Sequence, residues 1–283
     1  MALSLRAAAA VVCEHRNPYR RDDGLLTYQR DLAAPFGVSV DERLLAEGSN
    51  IPFVELAERL LREVPRPTAA PEMIIVSYGP PDCYPFTTIA SHVDHLLGGG
   101  SCCFAVSEQG LRAPFTALRI AAAFAKSGRC ATLALLVLEQ GTFPQPHPLA
   151  EHEALPDSGA LLMFDDDGSY EVAGVWTGRD LGVLLDTAAR AAPAGETLLV
   201  AGPWTDPRVI GAKTASPHRV GPGSYCTSVW LDLARNHGDW ARRYDCLVLC
   251  DTDPRTGRSQ ALLLRRTAAS AASHQGPSRG EVS

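Results

Sequence analysis

Short apolar runs alternate with amphipathic segments along most of the chain, and this alternation constrains the fold more than any other feature. Runs rich in Val, Ile, Leu and Ala that end at Gly, Pro or Asp are typical of buried strands. They cover residues 3–13, 73–78, 101–106, 132–138, 160–164, 197–201, 246–250 and 260–264. Segments with helical spacing lie at 53–64, 86–97, 111–126, 180–191 and 225–235. Strands that alternate with helices predict an α/β fold with mostly parallel pairing.

The composition sets the class of protein. The chain has 283 residues, 46% hydrophobic and 20% charged, which is enough for a large core in one domain or in two packed halves. A formal net charge of −6 gives no overall attraction to nucleic acid. No apolar stretch reaches the ~18 residues that span a bilayer, and the N-terminus lacks a convincing secretory signal. We therefore expect a soluble, cytoplasmic protein that binds neither nucleic acid nor membrane.

Cysteine, histidine and acidic patterns give little sign of a cofactor or a metal. The eight cysteines contain no Cys-x-x-Cys pair and most lie in or beside apolar runs, which favours reduced, buried thiols. His92 and His95 share a helical face without an evident third ligand, which favours a surface role over a metal site. Residues 165–168, Asp-Asp-Asp-Gly, are half a calcium loop but are more simply a hairpin turn. The sequence predicts no cofactor and no bound metal.

Three less regular stretches indicate the domain organisation. The stretch 141–156 holds four prolines between two strand patterns, which is typical of a linker. Residues 14–50 are weakly patterned, and we expect them to be irregular. Residues 268–283 are rich in Ala, Ser and Gly without an apolar period, which predicts a disordered tail. We therefore predict an N-terminal half at 1–150 and a C-terminal half at 151–267.

Several segments follow one another in an order and spacing that is more specific than any one of them. They are a strand with a Pro-Pro-Asp turn at 72–82, a strand, turn and alanine-rich helix at 102–128, a strand ending in glutamate at 133–139, an Asp-Ser-Gly-Ala strand at 157–162, a Gly-Ser turn and helix at 223–233, and two strands within 245–264. Together they resemble the thiolase superfamily, most closely β-ketoacyl-acyl-carrier-protein synthase III. The resemblance implies a thiolase-like layered αβαβα fold made of two pseudo-symmetric halves, shortened relative to the family.

The resemblance also locates three catalytic positions, and none keeps its residue. The family carries its acyl chain on a cysteine in the turn before the alanine-rich helix. Counting back along that helix places the position at Leu111, and counting forward from the strand places it at Gly110; we favour Leu111 because a helix keeps its register. The family's histidine falls on Pro203 and its asparagine on Ser224. Leucine, glycine and proline supply neither a nucleophile nor a side-chain donor for developing negative charge, and a serine stands in place of the asparagine amide. The resemblance therefore implies that condensing chemistry is lost.

Two reassigned sites remain as alternatives. In some decarboxylating condensing enzymes of this superfamily a glutamine replaces the cysteine and stabilises an enolate, a role open to Gln109 if the turn is shifted by two residues. Cys226 and His218 flank a Gly-Pro-Gly turn, and a Cys–His pair there would make a thiolate nucleophile. Cys226 also matches a small residue in the family's turn, which favours a packing role.

The degenerate positions predict a non-catalytic partner subunit. In superfamily dimers the strands that flank the nucleophile pair into one continuous sheet, so a degenerate copy resembles a chain-length factor that completes a heterodimer. The expected partner is an intact synthase III-like catalytic subunit in acyl or polyketide specialised metabolism. A homodimer is the other option, and acyl carrier protein or acyl-CoA are further candidate ligands. The alternative is an active acyltransferase, or a thioester hydrolase or decarboxylase, that uses Cys226 with His218 or uses Gln109.

Overall fold

The computed structural model describes residues 2–147, 149, 155–268 and 270. Its ten strands are β1 (Ser4–Val12), β2 (Met73–Tyr78), β3 (Cys102–Val106), β4 (Leu133–Glu139), β5 (Ser158–Asp165), β6 (Tyr170–Gly178), β7 (Thr197–Ala201), β8 (His218–Arg219), β9 (Cys246–Asp253) and β10 (Arg258–Arg266). Eight α-helices occur in the same residues: α1 (Asp23–Ala33), α2 (Glu42–Glu47), α3 (Phe53–Glu63), α4 (Ile89–Leu97), α5 (Ala113–Lys126), α6 (Leu181–Ala191), α7 (Pro207–Gly211) and α8 (Ser228–Ala241). Across these ranges, no helix is long and apolar enough to cross a membrane.

The strands form two sets of five with the same internal order. The first set runs β3-β2-β4-β5-β1, and the second runs β8-β7-β9-β10-β6. In each set the last strand in sequence is antiparallel to both of its neighbours, and the other long strands pair in parallel. The two sets join where Ser4 and Leu5 of β1 pair with β6. This repeated topology confirms the predicted pair of pseudo-symmetric halves.

Helices lie outside each set and between the sets. Helix α5 packs on β2, β3 and β4 of the first set and on β6 and β10 of the second, while α8 packs on β1, β5 and β9. Helices α3 and α4 cover the outer face of the first set, and α6 covers that of the second. The layers therefore follow the predicted helix–sheet–helix–sheet–helix order. Strand β4 is buried along its whole length between two helical layers, which explains its continuous apolar sequence.

Successive residues of the buried strands divide between an inner and an outer core. In β4, Leu135 belongs to the inner core with α5 and α8, whereas Leu136 belongs to the outer core with α3 and α4. In β9, Leu249 and Val248 divide in the same way between the inner core and the core under α6. The division follows from the alternation of side chains along a strand. The inner core contacts both α5 and α8 in the central layer, where the candidate site lies.

Two segments differ from the sequence prediction. Residues 14–50, expected to be irregular, contain α1 and α2, whose first turns are capped by the side chains of Asp22 and Asp41. Their apolar period is weak because each helix buries only one or two leucines. The sequence pattern also predicts a turn at 165–168 but gives no bounds for β6 after it, because only the first residue of that strand is fully buried.

The chain passes from one set to the other between β5 and β6. Strand β5 pairs with β1 and β4, so it completes the first set, although the sequence grouped it with the C-terminal half. The acidic turn 165–168 is not a hairpin turn, because β5 and β6 each pair with β1 rather than with each other. A proline-rich loop before β5 suggested a boundary there, but strand pairing is decided by tertiary contacts. The predicted boundary at 150/151 lies outside the described residues, as does the predicted tail except for Ala268 and Ser270.

Candidate functional site

The turn between β3 and α5 is tightly bent. Glu108 and Gly110 both have positive φ, 60° and 54°, and a single 3₁₀ turn from Gly110 to Arg112 leads into the helix. A positive φ is uncommon outside glycine and is often retained where a backbone is held for a functional geometry. Pro114 lies in the first turn of α5, where its missing N–H costs no intrahelical bond. The chain therefore changes direction sharply between β3 and α5.

Gly110, rather than Leu111, is the turn residue that faces the other candidate positions. The Leu111 side chain is 1% exposed and belongs to the inner hydrophobic core. A β-carbon built on Gly110 would collide with the hydroxyl of Tyr225 and lie 3.4 Å from Asp253 Oδ2. The helix count favoured Leu111, but the 3₁₀ turn before α5 breaks the α-helical register on which that count relied.

Tyr225 fills the space in front of the turn. Its phenol donates a hydrogen bond to Asp253 Oδ1 at 3.1 Å and accepts one from the backbone N–H of Leu111. The side chain is 1% exposed, and burial raises the pKa of the phenol well above its usual value. The phenol therefore takes up the N–H of Leu111 in the turn before α5, where N–H groups have no intrahelical partner.

The positions predicted to replace histidine and asparagine lie beside the same tyrosine. Trp204, next to Pro203, donates its indole N–H to the carbonyl of Ser224 at 3.1 Å. Its ring meets that of Tyr225 edge to face, with centroids 6.3 Å apart. Pro203 and Trp204 also line an open cleft of about 660 Å³. The structure thus brings Gly110, Pro203 and Ser224 to one place, but with the packed aromatic rings of Trp204 and Tyr225 between them.

A buried carboxyl group holds the start of α8 in position. Glu139 ends β4, is 0% exposed and accepts hydrogen bonds from the backbone N–H groups of Tyr225 (3.0 Å) and Cys226. Burial raises its pKa to about 7, and the hydrogen bonds to the backbone and to Thr227 oppose that rise. The contacts fix the backbone that carries Tyr225. We interpret Glu139 as a structural anchor, because its side-chain hydrogen bonds within the described residues all go to the same turn.

Asp251 has the corresponding place in the second set. It lies in β9, is 0% exposed and accepts from the N–H of Trp204 at 3.2 Å and from the hydroxyl of Ser228 at 3.0 Å. Burial raises its pKa to about 7. A β-carbon on Gly202 would collide with its carboxylate, so the loop before Trp204 needs glycine there. Asp251 therefore fixes Trp204 as Glu139 fixes Tyr225.

The Cys226–His218 pair is not assembled. Cys226 is 0% exposed, and burial followed by the charge of Glu139 raises the pKa of its thiol well above normal. Its sulfur contacts the carbonyl of Gly110 at 3.8 Å, whereas His218 bonds Asp232 at 2.7 Å and packs on Trp240. A reactive cysteine needs a stabilised thiolate and access to substrate. Here both are lacking, so the geometry disfavours this alternative.

Gln109 faces a different part of the molecule. Its side-chain oxygen accepts a hydrogen bond from the hydroxyl of Thr116 at 2.7 Å, and the residue lines a small polar cavity beside α5. It makes no hydrogen bond to Tyr225 or Ser224 among the described residues. An enolate-stabilising role beside the three degenerate positions is therefore not supported by the geometry.

The histidines on α4 form no metal cluster. His92 Nε2 lies 3.2 Å from Glu58 Oε1, which joins α4 to α3. Within residues 2–147, 149, 155–268 and 270, no three His, Cys, Asp or Glu side chains are grouped so as to hold a metal ion.

The residues that matter most at the site are ones that the sequence did not single out. Tyr225 and Asp253 occupy the front of the turn, although they lie 28 positions apart in the chain. Both lie within segments that carry the resemblance, at 223–233 and 245–264, but their roles depend on the approach of β9 and α8 to the turn. Glu139 had a weak signal, since a glutamate that ends a fully apolar run is unusual.

Comparison with known proteins shows the fold. No family model matches the chain, and no curated protein is similar to it. The 3-oxoacyl-(acyl carrier protein) synthase III FabH from Pseudomonas aeruginosa PAO1 superposes with a TM-score of 0.61 at 14% identity, covering 94% of this chain and 98% of that one. The synthase III from Aquifex aeolicus VF5 gives 0.60 at 13% identity, with coverage of 93% and 99%. Xanthomonas campestris OleA, solved with bound lauric acid and lauroyl-CoA, gives 0.59 at 14% identity, covering 94% and 99%.

These structures carry the resemblance over nearly the whole length of both chains. The repeated strand order, the central pair of helices and the bent turn before α5 agree with it. The chain has the thiolase-like α/β fold of the FabH and OleA condensing enzymes.

Proposed function

We propose that this protein is a non-catalytic thiolase-fold subunit that pairs with a cysteine-bearing, synthase III-like partner in acyl or polyketide biosynthesis in the cytoplasm. The observation that carries the proposal is the Tyr225 hydroxyl, which occupies the space that a side chain at Gly110 would need. A nucleophile there would have to displace a buried aromatic residue with two hydrogen bonds. The bound lauroyl-CoA of the OleA structure supports acyl thioesters as the chemistry of the partner.

The edge strand β3 supports the pairing. It lies at the end of the ten-stranded sheet with β2 on one side only, and Cys102 and Ala105 are exposed. The N–H of Cys102 donates to the carbonyl of Glu72, next to β2, so it points toward β2. Backbone groups of successive residues in a strand point to opposite sides, so those of Cys103 and Ala105 point to the open edge. Unpaired backbone groups on an exposed edge are ready to bind another strand. A partner strand there would continue the sheet from one subunit into the next.

The first experiment tests the pairing. The protein is purified alone and after co-expression with a synthase III-like protein from the same genome, and the masses of the complexes are measured by native mass spectrometry. We expect a heterodimer with the partner, whereas a homodimer alone would support self-pairing. A stable monomer that binds neither the synthase III-like protein nor a second copy of itself would refute the proposal.

An edge-strand variant tests the mode of pairing. Ala105→Pro removes an outward N–H but leaves the bonds to β2, and we expect at least a 10-fold loss of partner affinity. Ala105→Thr keeps the N–H and favours a strand, so it is the matched control. Equal affinity for both variants would exclude pairing through β3.

The second experiment tests the absence of covalent chemistry. The protein is incubated with acyl-CoA thioesters of several chain lengths, and its intact mass is measured. We expect no acyl adduct on the protein alone and an adduct on the partner subunit. An adduct on this chain that disappears in Cys226→Ala would instead establish the active acyltransferase alternative.

A further inference from the structure

A small cavity beside α5 is lined almost entirely by polar and positively charged side chains. It has a volume of about 150 Å³ and is more enclosed than the cleft at Pro203. That space corresponds to roughly five water molecules at about 30 Å³ each. The lining residues come from the β3–α5 turn, α5, β6 and β10: Gln109, Arg112, Phe115, Thr116, Arg119, Val175, Thr177, Arg258 and Gln260.

Three arginines line this cavity without a carboxylate among them. Arg112, Arg119 and Arg258 form no ion pair within the described part of the chain, whereas thirteen other arginine, lysine and histidine side chains there do, several of them in exposed pairs. Like charges that line one cavity repel each other unless an anion lies between them.

Two donor groups of the cavity have no hydrogen-bond partner within the described residues. Arg112 Nε is buried and has no hydrogen-bond partner, which is rare because an unpaired buried donor lowers stability. The oxygen of Gln109 accepts from Thr116, so its amide NH₂ keeps two donors without a partner in the described residues. Gln260 is held by a 2.9 Å hydrogen bond from its NH₂ group to Thr177.

We propose that this arginine cavity binds a small oxyanion with two negative charges, such as a phosphate group or a short dicarboxylate. A guanidinium presents paired donors that match the oxygens of phosphate and carboxylate. The volume excludes a long acyl chain, and the lining offers such a chain little apolar surface. The site is separate from the Tyr225 position, and its occupation does not depend on the pairing of β3 or on catalysis.

The binding is measured by isothermal titration calorimetry of the full chain with inorganic phosphate and, in a second arm, with malonate. Sodium chloride at equal ionic strength is the control for charge screening. We expect saturable binding of at least one dianion and none of chloride. Tighter binding of phosphate would identify a phosphate group as the natural ligand, and tighter binding of malonate a dicarboxylate. No saturable heat with either anion would overturn the proposal.

Variants locate the site. Arg119→Gln with Arg258→Gln removes two exposed charges, so the fold should survive, and the loss of two charge-assisted contacts should weaken binding at least 10-fold. Arg255→Gln is the matched control, because Arg255 is exposed in the turn before Arg258 but does not line the cavity. We expect it to bind as the natural chain does. An equal loss in Arg255→Gln, or unchanged binding in the double variant, would refute the site.

Discussion

The contact between Gly110 and Tyr225 gives the sharpest test of the site. Gly110→Ala adds a methyl group that would collide with the Tyr225 hydroxyl, and it places a β-carbon on a residue with φ of 54°. The left-handed backbone costs about 1–2 kcal/mol, and the added methyl in a filled core costs about 1–3 kcal/mol. We therefore expect Gly110→Ala to lower the free energy of unfolding by about 2–5 kcal/mol.

Removing the hydroxyl relieves part of that cost. Tyr225→Phe alone loses the bonds to Asp253 and Leu111 and should cost about 1–3 kcal/mol. In the double variant the colliding oxygen is absent, although the ring carbon that bore it still lies 3.1 Å from the new β-carbon. The separate costs of Gly110→Ala and Tyr225→Phe should then add up to more than the free energy of unfolding that the double variant loses. We expect the difference to be about 1–3 kcal/mol.

Urea unfolding at fixed protein concentration gives the free energy of unfolding of the natural chain, of Gly110→Ala, of Tyr225→Phe and of the double variant. Gly128→Ala is the control for backbone strain, because Gly128 has φ of 73° and nothing lies within 4 Å of its built β-carbon. It should lose only the strain cost of about 1–2 kcal/mol. If the costs of Gly110→Ala and Tyr225→Phe add to within about 0.5 kcal/mol, the two side chains do not compete for space and the reasoning is wrong.

Two further outcomes follow from burial. Asp251 has a pKa raised to about 7, so the folded state keeps a proton that the unfolded state releases, and stability falls as pH rises from about 4 to 7. Asp251→Asn can keep the bonds to Trp204 and Ser228, and relative to the natural chain its free energy of unfolding should rise on the order of 2 kcal/mol between pH 5 and 7; a constant difference across that range would show that Asp251 is ionised throughout. Iodoacetamide should label exposed Cys102 in the folded protein but reach Cys226 and Cys250 only after unfolding, and peptide mass spectrometry that finds rapid labelling of Cys226 would contradict its burial.

Local sequence patterns predicted strands and helices best where the residues are buried. The sequence prediction for β2 and β7 agrees with the structure residue for residue, because strands covered by helices on both faces are mostly apolar. The pattern failed for α1, α2 and β6, whose residues are mostly exposed or half-buried. Periodicity reports burial, so a surface element leaves a weaker signal.

The sequence by itself determined the alternation of strands and helices, the thiolase-like resemblance and the lack of a cysteine at the tip of the turn before α5. Only the tertiary structure decided which turn residue faces the site, because a 3₁₀ turn shifts the register between β3 and α5. It also decided what fills that site, since Tyr225 reaches Gly110 from the turn before α8 and Asp253 reaches it from β9. The gathering of Arg112, Arg119 and Arg258 depends equally on the packing of α5 against β10. Contacts between distant segments follow from how the layers pack, and no local pattern of residues encodes that packing.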